Sequence, residues 1–232
     1  MEAGHFMDIF FSIIAFVIVV VSLVVRDLVR GKAAQVMGDS TPYAWGRMTW
    51  NPKPHFEPLA WIVMVVSCLR GLPIGWTQEM PSSPFGKRRS AAFELLLVVW
   101  GFLPHLFIAL VCAMIIRAVL PVFDRPFQFP SSTGGQNNGP YDLNSFVLLI
   151  LNVNLLLAFF NLLPLYPLDG LRILKFFMPE TSYRKYYDFV RAYAPHIFLI
   201  GLVLLPFIDN RLDFFGRIIA YPTFWLARLL LG

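Results

Sequence analysis

Five stretches of this chain are long and apolar enough to cross a bilayer, and that limits the fold more than any motif does. A helix needs about 20 apolar residues to span the hydrocarbon core, where no water can satisfy an open backbone. Residues 9–25, 91–116, 143–163, 192–208 and 214–231 meet that length. The chain is 57% hydrophobic and 14% charged, against about 25% charged for a soluble domain. A soluble fold is therefore excluded, and the expected class is an all-α polytopic membrane protein. The run at 58–69 is too short to cross, bounded by Pro58 on one side and Arg70, Gly71 and Pro73 on the other. It reads as a re-entrant or interfacial helix. Glu2 and Asp8 precede the first stretch where a cleaved signal would carry basic residues, so that stretch reads as a retained helix. Cys68 and Cys112 sit in apolar runs and read as buried thiols.

Basic residues are unevenly distributed between the connections. With the N-terminus outside, Arg26, Arg30, Lys32, Arg47, Lys53, Arg70, Lys87, Arg88, Arg89 and the basic residues of 172–191 fall on the inner side. Only Arg117, Arg125, Arg211 and Arg217 fall on the other. The positive-inside rule then predicts an outer N-terminus and a cytoplasmic C-terminus. The net charge of +5 is modest and forms no basic face with interleaved aromatics, which predicts contact with lipid and none with nucleic acid. Two stretches punctuated by Pro and Gly, "WGRMTWNPKPHFEP" and "GLPIGWTQEMPSSPFGKRR", suggest small membrane-edge β-hairpins. The glycine-rich stretch at 125–140 is expected to be a mobile loop. No repeat or second domain is visible: residues 1–232 read as one integral membrane domain, with a core over 9–178 and two C-terminal helices over 183–232.

Two stretches carry charge where it is costly. In "NLLPLYPLDGLRIL", Pro164 and Pro167 must interrupt the helix before them, and Asp169 opens a new one. In "VVRDLVRGKAAQVMGD", Arg26, Asp27 and Arg30 close the first apolar segment. Arg26 and Arg30, at i and i+4, share one helix face. Snorkelling into the headgroups would explain the arginines alone. A carboxylate at membrane depth marks a polar site and needs a partner.

The motifs resemble those of the site-2 proteases, which are intramembrane zinc metalloproteases. That family carries HExxH on its first core helix, then a small-residue stretch ending in Gly-Asp, a Gly-Arg-x-x-x-Asn-Pro segment, His-x-x-Pro, and a proline-broken Leu-Asp-Gly. Here "AAQVMGD", "GRMTWNP", "HFEP" and "NLLPLYPLDG" stand in that order, with likeness over residues 9–179. The resemblance makes Asn161, Pro164, Pro167, Asp169 and Gly170 family-motif positions. It implies a site-2-protease-like core of five spanning helices plus the short 58–69 element. Counting back from Gly38, HExxH falls on Arg26-Asp27-Leu28-Val29-Arg30. Where the family has Ala-Gly-Pro-x-x-Asn, this chain has "WGFLPH", with His105 in place of an asparagine thought to handle substrate backbone.

In the family the two histidines and the Leu-Asp-Gly aspartate hold zinc, and the glutamate activates the metal-bound water. Arginine stays protonated and has no lone pair to give. The expectation is a degenerate zinc site: no catalytic residues, no cofactor, and a structural polar network of Arg26, Asp27, Arg30 and Asp169 in which the arginines ion-pair with Asp169. The implied function is a pseudoprotease, a scaffold or regulatory subunit that binds transmembrane helices of a partner protein or complex. Two alternatives stand beside it. One is an active intramembrane metalloendopeptidase with relocated zinc ligands, Asp169 with His55 or Glu57. The other is a small transporter or channel lined by Arg26, Arg30 and Asp169, against which the lack of repeats speaks. His105 reads as a satisfied interior histidine and Glu94 as a partner of Lys87, Arg88 and Arg89. Tyr183, Tyr186, Tyr187 and Tyr193 read as an interfacial aromatic belt.

Overall fold

The structure, a computed structural model, describes residues 2–82, 91–119, 143–209, 211 and 213–232. Its elements are α1 (Glu2–Val36), α2 (Thr41–Ala44), a 3-10 turn (Lys53–His55), α3 (Pro58–Leu69), α4 (Ala91–Val119), α5 (Leu143–Phe160), α6 (Gly170–Phe177), α7 (Glu180–Phe198), α8 (Leu205–Ile208) and α9 (Phe214–Leu231). Five helical stretches are long and apolar enough to cross a membrane: Ile9–Val36, Ala92–Ala118, Leu143–Phe160, Glu180–Ile208 and Phe214–Leu231. Helix α3 is the short apolar one. Lys87, Arg88, Arg89 and the 125–140 loop lie outside the described residues.

Three helix limits differ from the hydropathy reading, each for a local reason. Helix α1 runs eleven residues past Val25 because its charged residues find partners inside the protein. It stops in a Schellman turn: Gly38 adopts φ +92°, its N–H donates to the Gln35 carbonyl at 3.0 Å, and the Asp39 N–H reaches Ala34 at 2.8 Å. Helix α5 ends at Phe160, ahead of the prolines. Helix α7 begins at Glu180, well before the apolar run, because 180–191 is an amphipathic helical stretch. It then passes through a π-helical turn at Leu199–Leu204 into α8.

Among the described residues there is no strand, so the first expected hairpin does not form, and residues 83–89 of the second lie outside the described residues. Pro52, Pro54 and Pro58 remove donors from the first stretch, which closes instead as turns around Gly46 (φ +68°) and the 3-10 turn. The second stretch runs through 72–82 as an extended strap, tied to the first where the Gln78 N–H donates to the His55 carbonyl at 2.8 Å.

The main core joins α1 (Ala15, Val19, Leu23), α3 (Ala60, Val63, Met64), the strap (Ile74, Trp76) and α5 (Val153, Leu157, Phe160). Trp76 is fully buried, stacks on Phe198 of α7 at 4.4 Å and donates its indole N–H to Glu57 at 3.0 Å. A second cluster brings Ala109, Cys112 and Ala113 of α4 against Leu151 and Leu155 of α5 and Ala227 of α9. Small residues let these helices approach closely, as packing inside lipid requires.

The break after α5 forms a closed turn. The Gly170 N–H donates to the Asn161 carbonyl at 2.9 Å, and the Asn161 side-chain N–H donates to Leu157 at 2.8 Å and Gly75 at 3.3 Å. A Cβ at Gly170 would lie 2.0 Å from the Leu162 carbonyl oxygen, so only glycine fits. Tyr186 holds the turn from outside by donating to the Pro164 carbonyl at 2.7 Å. Gly170→Ala is expected to cost about 1–3 kcal/mol by forcing the turn open. An unchanged melting temperature in detergent would show that the turn yields freely.

Candidate functional site

The first turn of α6 and the second half of α1 meet at Asp169. Arg26 Nη2 donates to Asp169 Oδ2 and Arg30 Nη1 to Asp169 Oδ1, so each carboxylate oxygen takes one guanidinium. The i, i+4 spacing presents both arginines to one carboxylate. Asp169 does not cap α6 with its side chain, because both oxygens face α1. Gly101 of α4 closes the third side: a Cβ there would lie 3.0 Å from Asp169 Oδ2 and 3.3 Å from Arg30 Cδ.

Asp27 faces another set of partners. Arg47 Nη2 donates to its Oδ2 at 2.6 Å, and the His55 Nδ1 lies 3.1 Å from the same oxygen. Thr77 Oγ1 accepts from Arg26 Nη1 at 2.9 Å and donates to Asp27 Oδ1 at 2.9 Å, which joins the two carboxylates into one network. Arg47 also donates to the Pro54 carbonyl at 2.7 Å and His55 Nε2 lies 2.9 Å from the Thr49 carbonyl, so the 47–55 turn is fixed to α1.

Arg172, one turn into α6, pairs with Glu94 of α4 and donates to the Met80 carbonyl at 3.1 Å. Among the described residues Glu94 is met by Arg172 and by Lys175 at 4.0 Å; the Lys87, Arg88 and Arg89 partnership lies outside them. Buried charge balances: the arginines at 26, 30, 47 and 172 are buried, and so are the acids Asp27, Asp39, Glu94 and Asp169. For Asp169, which lies outside the five apolar helices, burial opposes ionisation, but the guanidiniums of Arg26, Arg30 and Arg172 outweigh it and hold the carboxyl below the usual range.

His105 is half satisfied, not fully as the sequence suggested. The Asn154 amide nitrogen donates to Ile150 at 2.9 Å, so its oxygen accepts from His105 Nδ1 at 3.0 Å. Among the described residues, His105 Nε2 and Asn161 Oδ1 are buried with no hydrogen-bond partner. Both residues line a small pocket with Arg26, Gly101 and Asp169. Of the relocated-ligand candidates, His55 is engaged by Asp27 and Glu57 by Trp76. Tyr186 and Tyr187 make specific contacts, Tyr187 donating to Glu79 at 3.0 Å with Arg191 over its ring at 5.9 Å.

The sequence reading missed Arg47, Thr77 and Asn154 as partners in these networks. The signal available for Arg47 was its place in the Gly-Arg-x-x-x-Asn-Pro motif, next to an acid at position 27 whose charge needed an answer.

In this polytopic helical protein the first long helix and the break after α5 converge on one buried carboxylate. The chain belongs to peptidase family M50, the site-2 protease family, whose family model matches residues 1–205. "Putative zinc metalloprotease YwhC" of Bacillus subtilis (strain 168) is 28% identical over 184 residues, covering 79% of this chain and 77% of the relative. No solved structure matches the chain.

Removing one member of a buried pair leaves the other uncompensated, so Asp169→Ala is expected to cost about 3–5 kcal/mol and to lower folded yield in detergent. Equal yield and melting temperature would overturn this. Because folding depresses the Asp169 pKa, its ionic contribution is complete above the unfolded value near ~3.9 and is lost as pH falls through the lower folded value. Wild type should therefore lose stability on acidification below about pH 4, and Asp169→Asn should lose less over the same range.

Proposed function

We propose that this chain is a non-catalytic member of its family, a scaffold or regulatory subunit that binds transmembrane helices of another membrane protein through the groove the family uses for substrate. The observation that carries the reading is the pairing of Arg26 and Arg30, at the positions of the HExxH histidines, with both oxygens of Asp169.

The donor set does not fit zinc. Guanidinium groups have no lone pair to offer, and two of them repel a cation. Asp169, the remaining ligand position, has both oxygens occupied. Asp27 stands where the general base would stand, but its oxygens are taken by Arg47, Thr77 and His55. No hydrolytic step is routed through this centre. The bound partner would be held by van der Waals packing and interhelical hydrogen bonds, the terms that drive helix association in lipid. The orientation that accompanies this reading has the N-terminus outside and the C-terminus on the cytoplasmic side.

The second reading, an active metalloendopeptidase with relocated ligands, draws on the likeness to a relative named as a zinc metalloprotease and on the free Nε2 of His105 beside the Asp169 pocket. Zinc content separates the two. Protein purified in mild detergent is expected to hold far less than one zinc per chain, while a variant carrying Arg26→His, Asp27→Glu and Arg30→His gains binding toward about one per chain. Stoichiometric zinc in wild type would overturn the non-catalytic reading. The scaffold reading predicts a stoichiometric membrane-protein partner in the same preparation; a lone monomer would overturn it.

A further inference from the structure

Between Thr41 and Lys53 the chain presents three large aromatic side chains to the outside: Tyr43 at 67% exposure, Trp45 at 72% and Trp50 at 71%. They do not sit on a loose loop. Arg47, between the two tryptophans, is buried against Asp27, and His55 fixes the other end of the turn to the same carboxylate. Pro42 and Met48 approach Gly31 of α1, so the segment lies alongside the last turns of that helix instead of projecting beyond them.

Depth follows from helix geometry. At ~1.5 Å per residue, Asp27 lies about 27 Å along α1 from Ile9, where the apolar stretch begins. This is close to the ~30 Å thickness of the hydrocarbon core, with the headgroup zone occupying roughly the next 5–8 Å. A platform tied to Asp27 and lying beside Gly31 therefore sits in the interfacial zone, where Trp and Tyr rings gain from an apolar body and a polar edge. Charge supplies the remaining selectivity. Among residues 31–55, Asp39 and Arg47 are buried, and the charged side chains left exposed are Lys32 and Lys53; Glu79, which borders Trp45, is engaged by Arg172 at 3.6 Å and by Tyr187 at 3.0 Å. Aromatic rings beside uncompensated lysines match an anionic lipid surface.

We propose that residues 41–53 form a rigid lipid-contact platform in which Trp45, Trp50 and Tyr43 insert at the headgroup level and Lys32 and Lys53 select anionic lipid. The platform is distinct from the Asp169 centre and does not depend on the reading of that centre as non-catalytic. The test uses the full chain reconstituted in liposomes with lipids brominated high on the acyl chain, on either phosphatidylglycerol or phosphatidylcholine at equal mole fraction. The tryptophan emission removed by Trp45→Phe with Trp50→Phe is obtained by difference. That component is expected to be quenched, more strongly by the brominated phosphatidylglycerol, and the preference is expected to vanish in Lys32→Gln with Lys53→Gln. Quenching by aqueous iodide but not by brominated lipid would overturn the platform by placing the rings in water, and quenching by neither would overturn it by placing them against protein. Equal quenching by both lipids would overturn the anionic selection. The four substituted side chains are exposed, so folding is not at issue, and iodide accessibility of the wild type gives the same discrimination independently.

Discussion

Among the described residues, four guanidiniums are buried around the meeting point of α1, α4, α6 and the 47–80 connections, each against a buried carboxylate, and their pairing governs what the rest of the structure can do. Taking one such ion out of water costs several kcal/mol even after relaxation, so an unbalanced set would not stay folded. Arg26 lies 3.4 Å from its neighbour Asp27, but the closer pairings join residues distant in sequence. Asp169 takes Arg26 and Arg30 across more than a hundred residues, Asp27 takes Arg47, and Glu94 takes Arg172. Each pair ties a different element to α1 or α4, so the charges fix the order in which helices surround the centre. The apolar contacts of α3, α5 and the strap then close around it.

The same pairing decides the chemistry available. A metalloprotease centre needs lone pairs converging on one point from two ring nitrogens and a carboxylate. On α1, Arg26 and Arg30 point N–H groups at the Asp169 carboxylate, and its two oxygens each accept from a separate arginine. The geometry is set by directional hydrogen bonds from planar guanidiniums, which do not exchange ligands as an open metal site does.

What was legible in the sequence was what depends on local pattern or run length. Five apolar stretches gave five long helices, and the spacing of Arg26 to Arg30 with the broken segment at Pro164 and Pro167 brought attention to Asp169. What was not legible depends on partners. Helix α1 reaches Val36 because Asp27 and Arg30 are neutralised by residues far along the chain, which a hydropathy window reads as a helix end. The 45–57 stretch has the alternation of a hairpin, but its prolines deny it a ladder and the Arg47 and His55 contacts with Asp27 hold it as turns. Thr77 carries no motif at all; it bridges Arg26 and Asp27 only because the strap passes between them.

A buried ionic network of this kind need not stabilise a fold relative to a well-packed apolar core, so its presence asks for another explanation. The helix break supplies one. Residues 161–170 leave backbone groups outside any helix, and the turn they form is held by side chains. Asn161 and Tyr186 satisfy carbonyls on its two sides, while Asp169 anchors its end to α1 through two arginines. An apolar residue at 169 could fill the volume but could not fix where α6 starts. Two oriented guanidiniums on one carboxylate define both position and direction. On this argument the network specifies the path of the chain after α5.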